Sequence, residues 1–339
     1  MSNHADQWNR RTFLRGAAFG GAIGLAGLPA KRAAAEPPLE TTRIRLFKWR
    51  SLCVTPQFIA QDLLKSEGFT DVQYIETPGS LGPERLLASG EIDINSQYSA
   101  PLIVRIDAGM PVVFLAGLHV GCFELFANAT VRTIPDLKGK TVAVPELGSV
   151  QHVFLSSILA YVGLDARRDV RFVTSSPHES QRLLADRKID AFLGFPPDPQ
   201  ELRAKNIGHV VLNSTQDRPW SQYFCCMVAG NRDFVRKYPV ATKRAVRALL
   251  KANEVCARDP EAAAQKTVDR GFATRYDYAL ETLKAIPYAK WREYNPEDTI
   301  RYYALRLHEA GMIKSSPQKI LTQGTDWRFL NELKKELKG

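Results

Sequence analysis

From Thr42 to about Asn231, short apolar runs alternate with stretches whose apolar residues recur every three or four positions. The runs read as strands buried in a sheet, and the stretches as helices lying on it. "RIRLFKW" (43–49), "VQYIET" (72–77), "IDINSQ" (92–97) and "PVVFLAGL" (111–118) predict strands, with helices at "PERLLASG" (83–90) and "APLIVRIDAG" (100–109). The rhythm restarts after Thr133. "KTVAVP" (140–145) and "DVRFVTS" (169–175) predict strands around the helix "SVQHVFLSSILAY" (149–161), whose Val150, Val153, Phe154, Ser157, Ile158 and Tyr161 share one face. Such alternation argues for parallel sheets joined by right-handed crossovers.

One phrase is written twice. "ERLLASGEIDINSQYSAPL" (84–102) returns 97 residues later as "QRLLADRKIDAFLGFPPDP" (181–199), pairing Arg85, Leu86, Leu87, Ala88, Ile92 and Asp93 with Arg182, Leu183, Leu184, Ala185, Ile189 and Asp190. Two copies exclude a solenoid and imply two similar lobes. The shared "LLAxxxID" reads as scaffold, so its arginines and aspartates are structural. The unlike endings, "NSQYSAP" and "FLGFPPDP", are expected to face each other across a cleft. Beyond Asn231 the pattern is helical, with an amphipathic "PVATKRAVRALLKANEVCA" (239–257) and helices starting near Pro260, Thr274, Pro296 and Trp327. Their apolar faces need the first lobe as host.

The N-terminal 35 residues are expected to lie outside the fold. Arg10 and Arg11 precede Phe13-Leu14, a Gly-rich apolar run follows, and Ala33-Ala34-Ala35 offers a cleavage site. This reads as a twin-arginine signal peptide (1–35) for export of a folded chain to the periplasm, cleaved near Ala35. Cleavage leaves 304 residues, enough for two domains. It removes five Lys/Arg and one Asp, lowering the net charge from +10 to +6. No basic run or stripe accompanies that charge, which excludes nucleic acid as the expected partner and leaves room for an anionic ligand. Five cysteines (Cys53, Cys122, Cys225, Cys226 and Cys256) show no metal-ligand spacing and read as buried, unpaired thiols.

The order "LLASGEID", "VVFLAGL", "DLKGKTVAVPELGS", "RKIDAFLGFPPDP" and "YFCCMVAG" resembles the periplasmic solute-binding proteins of ABC importers. Within them it is similar to the nitrate, sulfonate and taurine branch, which includes relatives of hydroxymethylpyrimidine synthases. The resemblance implies an α/β, type II, two-lobe binding-protein fold, each lobe a mostly parallel sheet flanked by helices. Lobe one spans 42–122 plus 226–339 and lobe two 123–225, with crossings at 118–125 and 218–224. It further implies a monomer that captures a small organic anion, sulfonate- or taurine-like, and delivers it to a membrane permease with its ATPase, needing no cofactor or metal.

Ligands of open α/β sheets bind beyond the strand C-termini, beside helix N-termini whose free N–H groups suit anions. This rule selects Trp49, Arg50 and Ser51 after the first strand, and Gly79 and Ser80 after the second. It adds Gln97, Tyr98 and Ser99 after the third, Gly148, Ser149, Val150 and Gln151 at the helix start in "ELGSVQ", and Phe195 and Pro196 after the second copy. Arg50 offers a two-pronged grip on a sulfonate or carboxylate, and His119, Trp220 and Tyr223 offer further walls. "FCCM" faintly echoes the clustered cysteines of the pyrimidine synthases, so an enzyme of that kind is one alternative and a ligand sensor another. No nucleophile elbow, phosphate-binding loop or metal-binding His pair is present.

Overall fold

The computed structural model describes residues 36–76 and 82–337. The signal-peptide reading and Gly79 and Ser80 lie outside the described residues. Residues 39–339 form one compact unit. Among the described residues, no helix is long and apolar enough to cross a membrane.

Among the described residues, ten strands are built from the apolar runs: β1 (Arg43–Phe47), β2 (Asp71–Ile75), β3 (Ile94–Tyr98), β4 (Val112–Val120), β5 (Glu124–Ala127), β6 (Thr141–Val144), β7 (Arg171–Thr174), β8 (Ala191–Gly194), β9 (His209–Asn213) and β10 (Phe224–Asn231). β1 pairs with β2 in parallel, and β10 lies antiparallel between β3 and β4. The two pieces meet where Asp93 N donates to Arg45 O at 2.9 Å, giving the order β2-β1-β3-β10-β4. The second sheet runs β7-β6-β8-β5-β9, with β5 antiparallel to both neighbours. The two orders are the same once β6, β7, β8, β5 and β9 stand for β1, β2, β3, β10 and β4. The expected parallel sheets are thus each interrupted by one return strand running the other way.

The repeated phrase explains the match. In each copy a helix, Pro83–Ser89 or Pro177–Ala185, leads through the "ID" pair into a core strand. Asp93 Oδ2 accepts the backbone N–H of Arg45 at 2.8 Å, and Asp190 Oδ2 accepts that of Thr141 at 2.8 Å. Asp190 N returns a bond to Thr141 O at 2.8 Å, as Asp93 N does to Arg45 O. The aspartates therefore stitch β3 to β1 in one sheet and β8 to β6 in the other.

The chain passes between the sheets twice, and the passages lie side by side. β4 leads to β5 through Gly121, Cys122 and Phe123, and β9 returns to β10 through 214–223. Val120 pairs with Phe224 on one side and Glu124 with Asn213 on the other. Gly121 has φ +66 and sits so close to Thr215 that a Cβ has no room; a Cβ on Gly117 would strike the Phe224 ring.

The helical tail covers the first sheet, as its amphipathic pattern requires. The helix Pro239–Arg258 buries Ala241, Ala245, Val246, Leu249, Leu250 and Asn253 on one face. Asn253 Nδ2 donates to Leu118 O at 2.8 Å and to Tyr288 O at 2.6 Å, fixing the tail to β4. The helix Pro296–Glu309 packs on both the helix Ser99–Asp107 and the helix Val150–Tyr161, and its Thr299 accepts Phe224 N at 3.0 Å. A helix at 317–324 and two short ones at 55–59 and 61–66 add to those the periodicity predicts.

Candidate functional site

A cavity opens where the ends of the two sheets meet. Trp49, Ser51, Cys53 and Val54 after β1 and Gln97 and Tyr98 at the end of β3 form one wall. Phe195 after β8 and Val150 at the start of a helix form the other, and Cys122, Phe123 and Cys226 from the crossings form the floor. The space between these walls comes to about 290 Å³ when the open solvent at its mouth is counted.

The walls are held by ordinary chemistry. Trp49 Nε1 donates to Ser96 O at 2.8 Å, which aims the indole along the end of the sheet. Gln97 Oε1 accepts from Asn95 Nδ2 at 2.9 Å, and Asn95 Oδ1 in turn accepts from Gln57 at 2.9 Å, an entirely buried amide chain. The Phe123 ring is the hub of an aromatic cluster: Tyr98 lies 4.9 Å from it, Phe154 4.9 Å and Phe195 5.5 Å. The two unlike endings of the repeated phrase therefore do share one cavity, through Gln97 and Tyr98 on one side and Phe195 on the other.

Both walls also touch directly. Leu52 N donates to Pro196 O at 3.1 Å, and Ser51 Oγ to the same oxygen at 3.4 Å. Farther out, Arg203 binds Glu124 at 2.6 Å and Glu281 of the tail at 2.7 Å, and Gln200 Nε2 reaches Thr282 Oγ1 at 3.2 Å. These contacts favour a closed arrangement.

Other predicted residues stand nearby without lining the cavity. Ser99 is buried and donates to Phe224 O at 3.2 Å, so it braces the second crossing. Ser149 caps the helix Val150–Tyr161, accepting from His152 N at 3.3 Å, while Gly148 is exposed and Gln151 buried beside it. Trp220 packs against Tyr161, and Tyr223 stacks on Tyr302 at 4.1 Å. Arg50 is exposed, and among the described residues no cation lines the cavity. His119 is buried one strand away, its Nδ1 3.1 Å from Gly121 O.

The residues that sequence reasoning missed are Cys53, Val54, Cys122, Phe123 and Cys226. The cysteines carry no spacing signal because three separate elements deliver them. Cys122 Sγ lies 3.0 Å from Cys225 Sγ, and all five cysteines are buried and unbonded. Burial raises the cost of any charge here. Yet hydrogen bonds from the Cys122 and Cys53 thiols hold Cys226 below the usual thiol range. Burial likewise opposes a charged His119, but the Cys226 and Cys53 thiols outweigh it and push the imidazole up to about 10. At the far edge, burial and the nearby Glu201 push the Asp198 carboxyl up to about 7.

Two sheets of one strand order, two adjacent crossings and a cavity at their seam define the two-lobe fold of periplasmic binding proteins. The periplasmic nitrate-binding protein NrtA from Synechocystis PCC 6803 has this fold, superposing with a TM-score of 0.71 at 17% identity over 89% of this chain and 90% of that one. The aliphatic sulphonate-binding protein SsuA from Escherichia coli superposes with a TM-score of 0.64 at 19% identity, over 85% and 97%. Residues 37–270 match the NMT1-like family, and the chain belongs to it. The taurine-binding periplasmic protein of Escherichia coli K12 is 27% identical over 179 residues, 52% of this chain and 55% of that protein. The chain thus spans about half the length of that relative.

Proposed function

We propose that this chain is the periplasmic solute-binding component of an ABC importer, taking a small organic anion with an apolar body into the cavity between its lobes. The observation that carries the reading is the cavity itself: both halves of the repeated phrase end in it, and aromatic rings from both sheets converge there. Trp49, Tyr98, Phe123 and Phe195 suit a carbon skeleton rather than bare nitrate. The helix starting at Val150 offers its positive end to a sulfonate or carboxylate. Lobe one is residues 42–122 plus 226–339 and lobe two 123–225. A bound solute touching both favours the closed state. The loaded protein, a monomer exported by the twin-arginine route, docks on a permease whose ATPase supplies the energy.

The test is a thermal-shift screen of alkanesulfonates, taurine, short carboxylates and nitrate, followed by calorimetry. A true ligand at a hundred times its Kd stabilises the protein by about 2.7 kcal/mol. Tyr98→Ala and Phe195→Ala should each weaken it at least tenfold. Chemical conversion of a bound compound by the purified protein would sink the transport reading in favour of an enzyme.

A further inference from the structure

Cys53, Cys122 and Cys226 are far apart in sequence, yet their Sγ atoms all lie within 4.8 Å of one another. They come from the turn Leu52–Val54, the first crossing and β10, and their exposures are 3%, 5% and 4%. A buried thiol that serves only as packing sits among hydrocarbon, as Cys256 does in the helix Pro239–Arg258. Three thiols converging from three elements on the floor of a cavity are a different arrangement.

His119 stands beside it, though neither ring nitrogen lies within 4.8 Å of all three sulfurs. It stands opposite Cys226 across the β4–β10 pairing. The carbonyls of Gly121 and Val120 lie 3.1 and 3.3 Å from Nδ1, which places the ring proton there. Nε2 is left buried and without a hydrogen-bond partner among the described residues. An imidazole that ligates a metal is held in this way, by a carbonyl on its far nitrogen.

We propose that Cys53, Cys122 and Cys226, with Nε2 of His119, bind one zinc-class divalent ion on the floor of the cleft. Three thiolates and one imidazole form a four-coordinate set suited to that ion. Zinc–sulfur bonds of about 2.3 Å put tetrahedral thiolates about 3.8 Å apart. The present spacing needs only small side-chain rotations to reach that. Binding displaces the thiol protons and the Nε2 proton of a charged His119 to solvent, moves no electrons and leaves the site with one negative charge. Cys225, 3.0 Å from Cys122, is the nearest rival partner for that sulfur.

The test uses the full chain, reduced and stripped with a chelator, titrated with Co²⁺ alone and then Zn²⁺ alone. One equivalent of cobalt should give the thiolate-to-cobalt charge-transfer band and the strong visible bands of a tetrahedral site, and one equivalent of zinc should bleach them. C53S, C122S and C226S should each weaken binding at least tenfold, H119A should shift the visible bands, and C256A should change neither. If a variant does not fold, zinc should protect three mapped cysteines of the native chain from alkylation. Absence of the cobalt bands, their survival in C226S, unprotected thiols, or a Cys122–Cys225 disulfide in place of zinc uptake would overturn the site. H119A with unchanged bands would remove His119 from it. Solute capture is measured on the stripped protein, so either proposal can fail alone.

Discussion

Removing the aspartate of either repeated phrase should loosen one sheet while leaving the cavity residues in place. Asp93 is 4% exposed, and its carboxylate accepts Arg45 N at 2.8 Å, Arg45 Nε at 3.1 Å and Arg45 Nη2 at 2.6 Å. Asp93→Ala orphans a backbone N–H and strips a partly buried guanidinium of its partner. Breaking a buried pair costs about 3–5 kcal/mol; with Arg45 at 27% exposure the lower end applies, about 3 kcal/mol. Asp190 accepts Thr141 N at 2.8 Å and Asn128 Nδ2 at 3.0 Å, with no cation attached among the described residues. At about 1.5–3 kcal/mol for a hydrogen bond to a charged group, Asp190→Ala should cost about 2–3 kcal/mol. Asparagine retains an acceptor for the backbone N–H, so each Asn variant should lose about half as much. Urea unfolding followed by circular dichroism and by tryptophan fluorescence measures the losses, with both probes needed because two lobes can unfold separately. An Ala variant within about 0.5 kcal/mol of the native chain would behave as an ordinary surface change and refute the stitching role.

Three other outcomes follow from the same geometry. Gly121→Ala should cost about 2 kcal/mol or more in urea unfolding, because φ +66 and the packed Thr215 both reject a Cβ. Asp198, whose carboxyl burial holds near 7 against an ordinary 3.8, contributes stability present below about pH 4 and lost as pH rises through 7. Asp198→Asn should flatten the melting temperature across that window, and an unchanged slope would place the titration elsewhere. Arg203→Ala severs the link to Glu281 of the tail and should open the lobes, seen as a larger radius of gyration in X-ray scattering of the solute-free protein.

The fold was legible because its strands are apolar runs between clear helix periods, and because the duplicated phrase marks two lobes. The short helices within residues 52–66 were not, since "LCVTPQFIAQDLLK" mixes buried polar Thr55 and Gln57 into an apolar face. Nor were the reversed strands β5 and β10 distinguishable from their parallel neighbours, for burial on both faces gives either direction the same pattern. Of the residues read from strand ends, which can be read locally, Trp49, Ser51, Gln97, Tyr98, Val150 and Phe195 line the cavity. The floor was hidden. Phe123 and the three cysteines meet only through the crossings, and long-range convergence leaves no local spacing. Arg50 has the chemistry to hold an anion, yet sequence carries no sign of which way a loop guanidinium points.

The side-by-side passages between the sheets make residues 124–213 a cassette. The segment departs from Val120 and comes back to Phe224, which are paired neighbours, and it begins and ends on Glu124 and Asn213, which are also paired. A chain that leaves and re-enters by the same doorway can be exchanged for the matching segment of a relative with two nearby splices and no re-threading. Such a graft replaces Phe195 and Val150 while Trp49, Gln97 and Tyr98 stay, so one wall of the cavity can be exchanged at a time.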